Sequence, residues 1–416
     1  MSVLRQMKQS LRETSRANGA FAEGRYTSMS ATPCTDGQIG EYSCSNVDLT
    51  ASLTHGDMGS STAEGNDIWG WTSADGREFA LVGQTDGTAF VEVMSDGSLT
   101  YLGRLPTQTV SSLWRDLKVI GDFVYIGSEA RSHGIQIFDL NKLLDVDPAS
   151  PVVFSVSDDL TAHFDGVGNS HNIVANEDTD RIYAVGASVC SGGLVIVDVS
   201  EPSSPVQIGC ASEDGYVHDA QCVVYDGIDT QYIGREICYG YNEDSFTIYD
   251  VTDASNPIIV SRTPYEGSQY SHQGWVVDAE SRYVLLDDEL DEMYNGEENG
   301  RTKTHIFDIS SLENPVYTGS HFAVTPSIDH NQYVIDGLSY QANYASGLRI
   351  LDVSGLTDDP TGGSISELGF FDCYPEDDAN PEVEFYGAWS VYPYFQSGVV
   401  IMNCIERGLF AVRFTS

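Results

Sequence analysis

One histidine-bearing motif recurs along this chain and constrains what it can fold into. It reads Asn169-Ser170-His171-Asn172-Ile173, then Val217-His218-Asp219-Ala220, Ser271-His272-Gln273-Gly274 and Asp329-His330-Asn331-Gln332. Each copy opens a run of strand character, followed by a second such run and then an aliphatic run ending in aspartate. The last reads Leu194-Val195-Ile196-Val197-Asp198, Phe246-Thr247-Ile248-Tyr249-Asp250, His305-Ile306-Phe307-Asp308 and Leu348-Arg349-Ile350-Leu351-Asp352. Short runs rich in β-branched and aromatic residues, punctuated by Gly, Asn and Asp, are strands.

Three further units share the pattern without the histidine. The first holds runs at 67–72, 78–83, 88–93 and 99–105, and the second at 113–119, 123–127 and 134–139. The seventh has runs at 386–391, 399–402 and 408–414, after which the chain stops one strand short. Seven units spaced by roughly 46 to 59 residues, four strands each, predict an all-β, seven-bladed β-propeller. An open stack would need polar caps that the sequence lacks. The strand predicted at 46–53 precedes the first unit, so it can complete the last blade and close the ring. We therefore expect a leader over 1–33 and one propeller domain over 34–416. Within the leader, Leu4, Met7 and Leu11 among Arg, Lys and Glu suit a short helix or a flexible segment.

Asp and Glu total 62 against 20 Lys and Arg, a formal charge of −42. That field repels nucleic acid and anionic membranes and fits solubility in a salty medium. The partners that remain are a small ligand or an extracellular or surface protein. Eight cysteines pair sensibly as Cys34 with Cys44, Cys190 with Cys210, Cys222 with Cys238 and Cys373 with Cys404. None forms a CxxC zinc pair, so disulfides in an oxidising compartment are the better reading. No apolar run reaches membrane-spanning length, and no signal-peptide core follows Met1.

The run Leu194-Val195-Ile196-Val197-Asp198 resembles the signature of the LVIVD-repeat proteins. More narrowly, the chain is similar to the choice-of-anchor B family of exported propellers. The residues behind that are Pro33-Cys34 through Cys44-Ser45-Asn46-Val47-Asp48-Leu49, Ser170-His171-Asn172-Ile173-Val174, Tyr232-Ile233-Gly234-Arg235-Glu236-Ile237-Cys238 and Leu286-Asp287-Asp288-Glu289-Leu290-Asp291-Glu292. The resemblance spans about 33–416 and implies export and an extracellular or surface role. It departs from the family in showing no obvious C-terminal anchor, and it implies no catalytic activity.

In a propeller the first strand of each blade lines the axis, so His171, His218, His272 and His330 are expected to ring one mouth of the channel. At the equivalent point the second unit offers Arg115 and Asp116, and the first and seventh offer Trp69 and Trp389. Loops between second and third strands add Glu129, Glu243, Asp244, Asp287, Asp288 and Glu289. Imidazoles and carboxylates converging on one axis suit a divalent transition metal, with carboxylates orienting the histidines. The alternative is a polar network in which the histidines hydrogen-bond carboxylates or water. The acidic stretch 287–298 suits calcium or a solvated insertion, and its order is not that of an EF-hand. His55, His163 and His321 fall in predicted loops, and His133 and His305 near the start of third strands, where packing is the simpler role. Trp69 and Trp389 suit packing or stacking on a sugar or aromatic ligand.

No phosphate-binding loop, nucleophile elbow or HExxH is present, so no nucleotide cofactor is expected. Two functions remain. One is a secreted or surface-displayed binding and scaffold propeller. The other is a metal-dependent enzyme of hydrolase, lyase or oxygenase type, with the four histidines as ligands and Asp219, Glu243 or Asp288 as acid/base or orienting groups.

Overall fold

A computed structural model of the chain describes residues 2–278 and 280–415. Seven antiparallel sheets surround one axis, and their inner strands are Gly65–Thr72, Arg115–Ile120, Asn172–Asn176, Asp219–Val224, Ser271–Val276, Asn331–Ile335 and Ala388–Tyr392. The seventh sheet takes its fourth strand from the other end of the chain. Val47–Leu53 pairs antiparallel with Gly408–Phe414, setting Leu49 opposite Val412, and so closes the ring as the repeat count predicts. In the second blade the fourth strand is Ala162–Phe164, so His163 is in a strand rather than a loop. His321 likewise lies within Val316–Pro326. Between the third and fourth strands of that blade, Val152–Val153 adds in parallel to the outer edge of the first.

The aliphatic-Asp run is explained by its position inside the ring. Both faces of each sheet meet a neighbouring blade, so successive residues are all buried rather than alternating with polar ones. Leu194 and Ile196 pack with Ala220, Cys222 and Tyr249 of the fourth blade. Val195 and Val197 point the other way, onto Ile135, Ile137 and Tyr125 of the second. The terminal aspartate makes a turn: Asp198 accepts from the Ser200 amide, Asp250 from Thr252, Asp308 from Ser310 and Asp352 from Ser354, at 2.8 to 3.1 Å. Such Asx turns satisfy backbone donors where the ladder ends.

Inner strands do not pair with one another across blades, and polar side chains serve their exposed edges instead. Asp67 accepts from the Leu117 amide, Asp116 from Ile173, Gln221 from Val276 and Gln273 from Gln332, at 2.7 to 3.2 Å. Polar residues on otherwise buried strands are thus required by backbone hydrogen bonding.

All four expected disulfides are formed: Cys34–Cys44, Cys190–Cys210, Cys222–Cys238 and Cys373–Cys404. The last joins the sixth and seventh blades beside the ring closure. Among the described residues no helix is long and apolar enough to cross a membrane.

Ser2–Ala17 forms a helix, α1. It lies across one mouth of the channel. Leu4 is buried there with Trp114, Tyr270, Tyr344, Phe385 and Trp389, and Met7 and Leu11 pack against the same cluster. Arg5, Lys8, Arg12 and Arg16 recur every three or four residues and so share a helix face. They meet acidic groups of the mouth: Arg5 pairs with Glu129 at 2.6 Å, Lys8 with Glu289 at 2.5 Å, Arg12 with Glu64 at 3.1 Å and Glu406 at 3.7 Å, and Arg16 with Glu64.

Candidate cation site at the channel mouth

The four repeat histidines sit where the inner strands of blades three to six begin. Their rings form an unbroken arc, with centroids 4.2 Å apart from His171 to His218, 4.1 Å from His218 to His272 and 4.4 Å from His272 to His330. Trp389 continues the arc 4.9 Å beyond His330, and Trp114 stands 6.4 Å from His171 at the other end.

Three of the four rings are oriented through Nδ1. His218 Nδ1 donates to the His272 carbonyl at 2.8 Å, and His330 Nδ1 to the Trp389 carbonyl at 2.5 Å. A carbonyl only accepts, so both rings carry the proton on Nδ1 and leave the Nε2 lone pair bare. His171 Nδ1 is 2.7 Å from Glu129 Oε1. His272 Nδ1 faces the His330 carbonyl without a hydrogen bond of good geometry. Burial holds His218, His272 and His330 well below the ordinary imidazole range, helped by neighbouring histidines and the Lys8 ammonium. At neutral pH these rings are neutral, the protonation state that a metal requires.

Glu289 brings the carboxylate. Its Oε2 lies 3.7 Å from His272 Nε2 and its Oε1 3.7 Å from His330 Nε2. Ligand atoms of His272, Glu289 and His330 all fall within 4.8 Å of one another, and the three side chains are buried. Two imidazole nitrogens and a carboxylate oxygen are a donor set suited to zinc, copper, iron or manganese. The same carboxylate is held by this chain's own cation. Lys8 Nζ is 2.5 Å from Glu289 Oε1 and 2.9 Å from the Tyr344 hydroxyl, which itself donates to Glu289 at 2.6 Å. The ammonium also lies 4.9 to 5.4 Å from the ring centroids of Phe385, Trp389 and Tyr344, a cation–π cage.

The remaining expected residues separate into groups. Glu129 joins the mouth through His171. Although burial pushes its carboxyl up, the His171 hydrogen bond and the charges of His171, Arg5 and Lys8 hold it below the usual value. Glu243 is half-buried near Tyr216 and Tyr270 at the rim. Asp244 turns outward to Arg262 at 2.8 Å. Asp288 lies at the end of Tyr283–Asp288 and binds the Tyr265 hydroxyl and the Gln269 and Tyr270 amides, so it shapes a loop. Asp287 accepts from Gln332 at 2.6 Å. Further acids of 287–298 also turn to protein groups, Asp291 to His305 at 3.0 Å, Glu292 to the Lys303 amide at 3.1 Å and Glu298 to Arg301 at 2.7 Å.

Arg115 is not at the mouth. Its side chain runs between the first two blades, with Nε donating to the Gln84 carbonyl at 3.0 Å and Nη1 3.1 Å from His133 Nε2. Asp116 pairs instead with Lys118 at 3.0 Å, one level deeper. Trp69 is also not equivalent to Trp389. Trp69 stands two residues past Asp67, which takes the next blade's amide as Asp116 does in the second blade, and so lies deeper in the channel, level with Lys118, 5.4 Å from Tyr333 and 5.2 Å from Tyr392. Sequence reading missed Lys8, Tyr344 and Phe385. The basic spacing of α1 against an otherwise acidic chain was the available signal.

This is a seven-bladed propeller with a buried histidine–glutamate mouth, and one of its blades carries an LVIVD repeat. The LVIVD repeat family matches over residues 188–211, the third and fourth strands of the third blade with the turn between them. Comparison with curated protein sequences gives no match. Among solved structures, the β-propeller domain of Cps50 (Swd1) from Myceliophteria thermophila is similar over 81% of this chain and 94% of that one, at 10% identity and a TM-score of 0.48.

Proposed function

We propose that this chain is a secreted or surface-displayed binding propeller of the choice-of-anchor B type, whose histidine mouth is a cation site. The observation that carries the reading is the sharing of Glu289: the carboxylate that faces His272 and His330 also holds Lys8. A divalent transition metal and the Lys8 ammonium therefore compete for one carboxylate. Four disulfides support an oxidising compartment. The cover of α1 over the mouth supports binding over turnover, because a substrate would have to displace a buried ion pair.

The fixed Nδ1 tautomers of His218 and His330 favour a second reading, a metal-dependent enzyme. His272, His330 and Glu289 would hold the metal, with His171 and His218 extending the arc, and a bound metal would supply Lewis-acid polarisation. In that reading Glu129 orients His171, and α1 excludes water until it is displaced.

Elemental analysis of the purified, chelator-rinsed full chain tests the site beside Lys8→Ala and a His272→Ala, His330→Ala variant. Metal content should rise in Lys8→Ala and vanish in the histidine variant. Absence of zinc, copper, iron and manganese from all three, with the fold intact, would remove the metal from the proposal.

A further inference from the structure

The opposite end of the channel carries a second feature that the histidine mouth does not use. The histidines stand where inner strands begin, whereas a cavity of about 330 Å³ is lined near where the same strands end. The wall is aromatic. Trp69, Trp275, Tyr333 and Tyr394 come from blades one, five, six and seven, with Trp275 5.0 Å and Tyr394 6.2 Å from Tyr333. Trp69, Trp275 and Tyr394 are half-buried, so their rings stand accessible from the channel end.

Polar groups converge at the inner end. Lys118 is anchored by Asp116 at 3.0 Å, and Asp67 lies 3.5 Å away. Asp219 lines the cavity, and its carboxylate accepts from the adjacent Ala220 amide at 2.7 Å. Gln221 gives its carbonyl oxygen to the Val276 amide and keeps its amide NH₂ for another partner. The Tyr394 hydroxyl is buried, with no hydrogen-bond partner among the described residues. A pocket with apolar walls and a few convergent polar groups is the usual form of a small-molecule site.

The arrangement discriminates between ligand classes. Aromatic rings beside carboxylates would suit an organic cation, but that place is filled, since Lys118 Nζ already stands 4.7 Å from the Trp69 ring centroid. A second cation would be repelled by it. An anion would meet Asp219, Asp116 and Asp67. A neutral ring bearing hydroxyls meets neither objection: its C–H face stacks on indole or phenol, while its hydroxyls donate to Asp219 and accept from Gln221. We infer that this end of the channel is a binding site for a neutral saccharide of one or two rings, seated on Trp275 and oriented by Asp219.

The test uses the full chain and saturation-transfer NMR with glucose, galactose, mannose, N-acetylglucosamine and their disaccharides, followed by tryptophan fluorescence titration of any that bind. At least one should bind, and Trp275→Ala should weaken it by roughly tenfold or more. Asp219→Asn, which keeps size and shape, should weaken it similarly while the near-UV circular dichroism stays native, and this guards against misfolding of the tryptophan variant. Binding of choline in place of every sugar overturns the assignment. So does sugar binding that survives both substitutions, or the absence of any sugar signal at millimolar concentration.

Discussion

Lys8 Nζ and Glu289 Oε1 are 2.5 Å apart, and the side chains retain only 4% and 0% of their exposure. Burial pulls the Lys8 ammonium below its ordinary range, and Glu289 opposes that pull. Removing one partner of such a buried pair strands the other charge at a cost of about 3–5 kcal/mol. Since α1 packs on the mouth and belongs to none of the seven sheets, the loss falls on its docking rather than on the whole propeller. Lys8→Ala should therefore raise the open population of α1 about 100-fold or more, read as faster tryptic cleavage after Arg5, Arg12 and Arg16. The double variant Lys8→Ala, Glu289→Gln should open no further than Lys8→Ala alone, because the stranded carboxylate is then gone. Additive opening would show that the pair does not hold the helix.

Asp219 gives a pH dependence of opposite sign to most acids. Burial pushes its carboxyl up to about 7, against the pull of Lys118 and of the Ala220 amide. A carboxyl raised in the folded state stabilises fully below its unfolded value and loses that stabilisation as pH rises through the folded value. Asp219→Asn removes the titration. Its melting temperature should match the parent near pH 4, then gain on it up to about pH 7 and stay ahead above that. The gain is roughly 1 kcal/mol per pH unit in that window, allowing for partial solvent screening. A constant difference from pH 4 to 8 would rule the titration out.

The blade count, the closing strand and the neighbourhood of the four histidines were legible because each rests on a repeat, and the Cys34–Cys44 pair because the two bracket one short loop. Histidine at one fixed place in consecutive units has to lie on consecutive inner strands. What failed was depth and direction. Trp69 falls two residues past Asp67, the acceptor for the next blade's amide, and that register, which no pattern announces, puts it below the level of Trp389. Arg115 begins its inner strand and points between blades, where it finds the Gln84 carbonyl that only the folded neighbour supplies. The acidic loops divided for a similar reason. Glu289 enters the cage while Asp288, one residue earlier, turns to the amides of Gln269 and Tyr270.

His330 should contribute to acid unfolding. Burial holds its imidazole well below the usual 6.5, with the Lys8 ammonium adding to the effect. A base depressed in the folded state takes up its proton only on unfolding, so stability present above pH 6.5 is lost as pH falls below it. His330→Gln removes that uptake. The slope of unfolding free energy between pH 6.5 and 5 should flatten by roughly 1 kcal/mol per pH unit, measured by urea titration at several pH values. An unchanged slope would mean that His330 is already protonated in the folded chain.

Ring closure depends on Leu49. The side chain is 1% exposed and packs with Tyr42, Phe371, Phe410 and Val412, linking blades six and seven. Truncating a buried leucine to alanine costs about 2–5 kcal/mol. Here the loss falls on the one strand that joins the two ends of the propeller. Leu49→Ala should lower the urea midpoint without changing its slope, since the same surface is exposed on unfolding. A chain that begins after residue 53 should behave differently. It leaves Gly408–Phe414 as an unpaired edge of mostly buried apolar residues, a template for intermolecular pairing. Size-exclusion chromatography should then show association that Leu49→Ala does not show. A monomeric, fully stable truncated chain would mean that the propeller holds its ring without the closing strand.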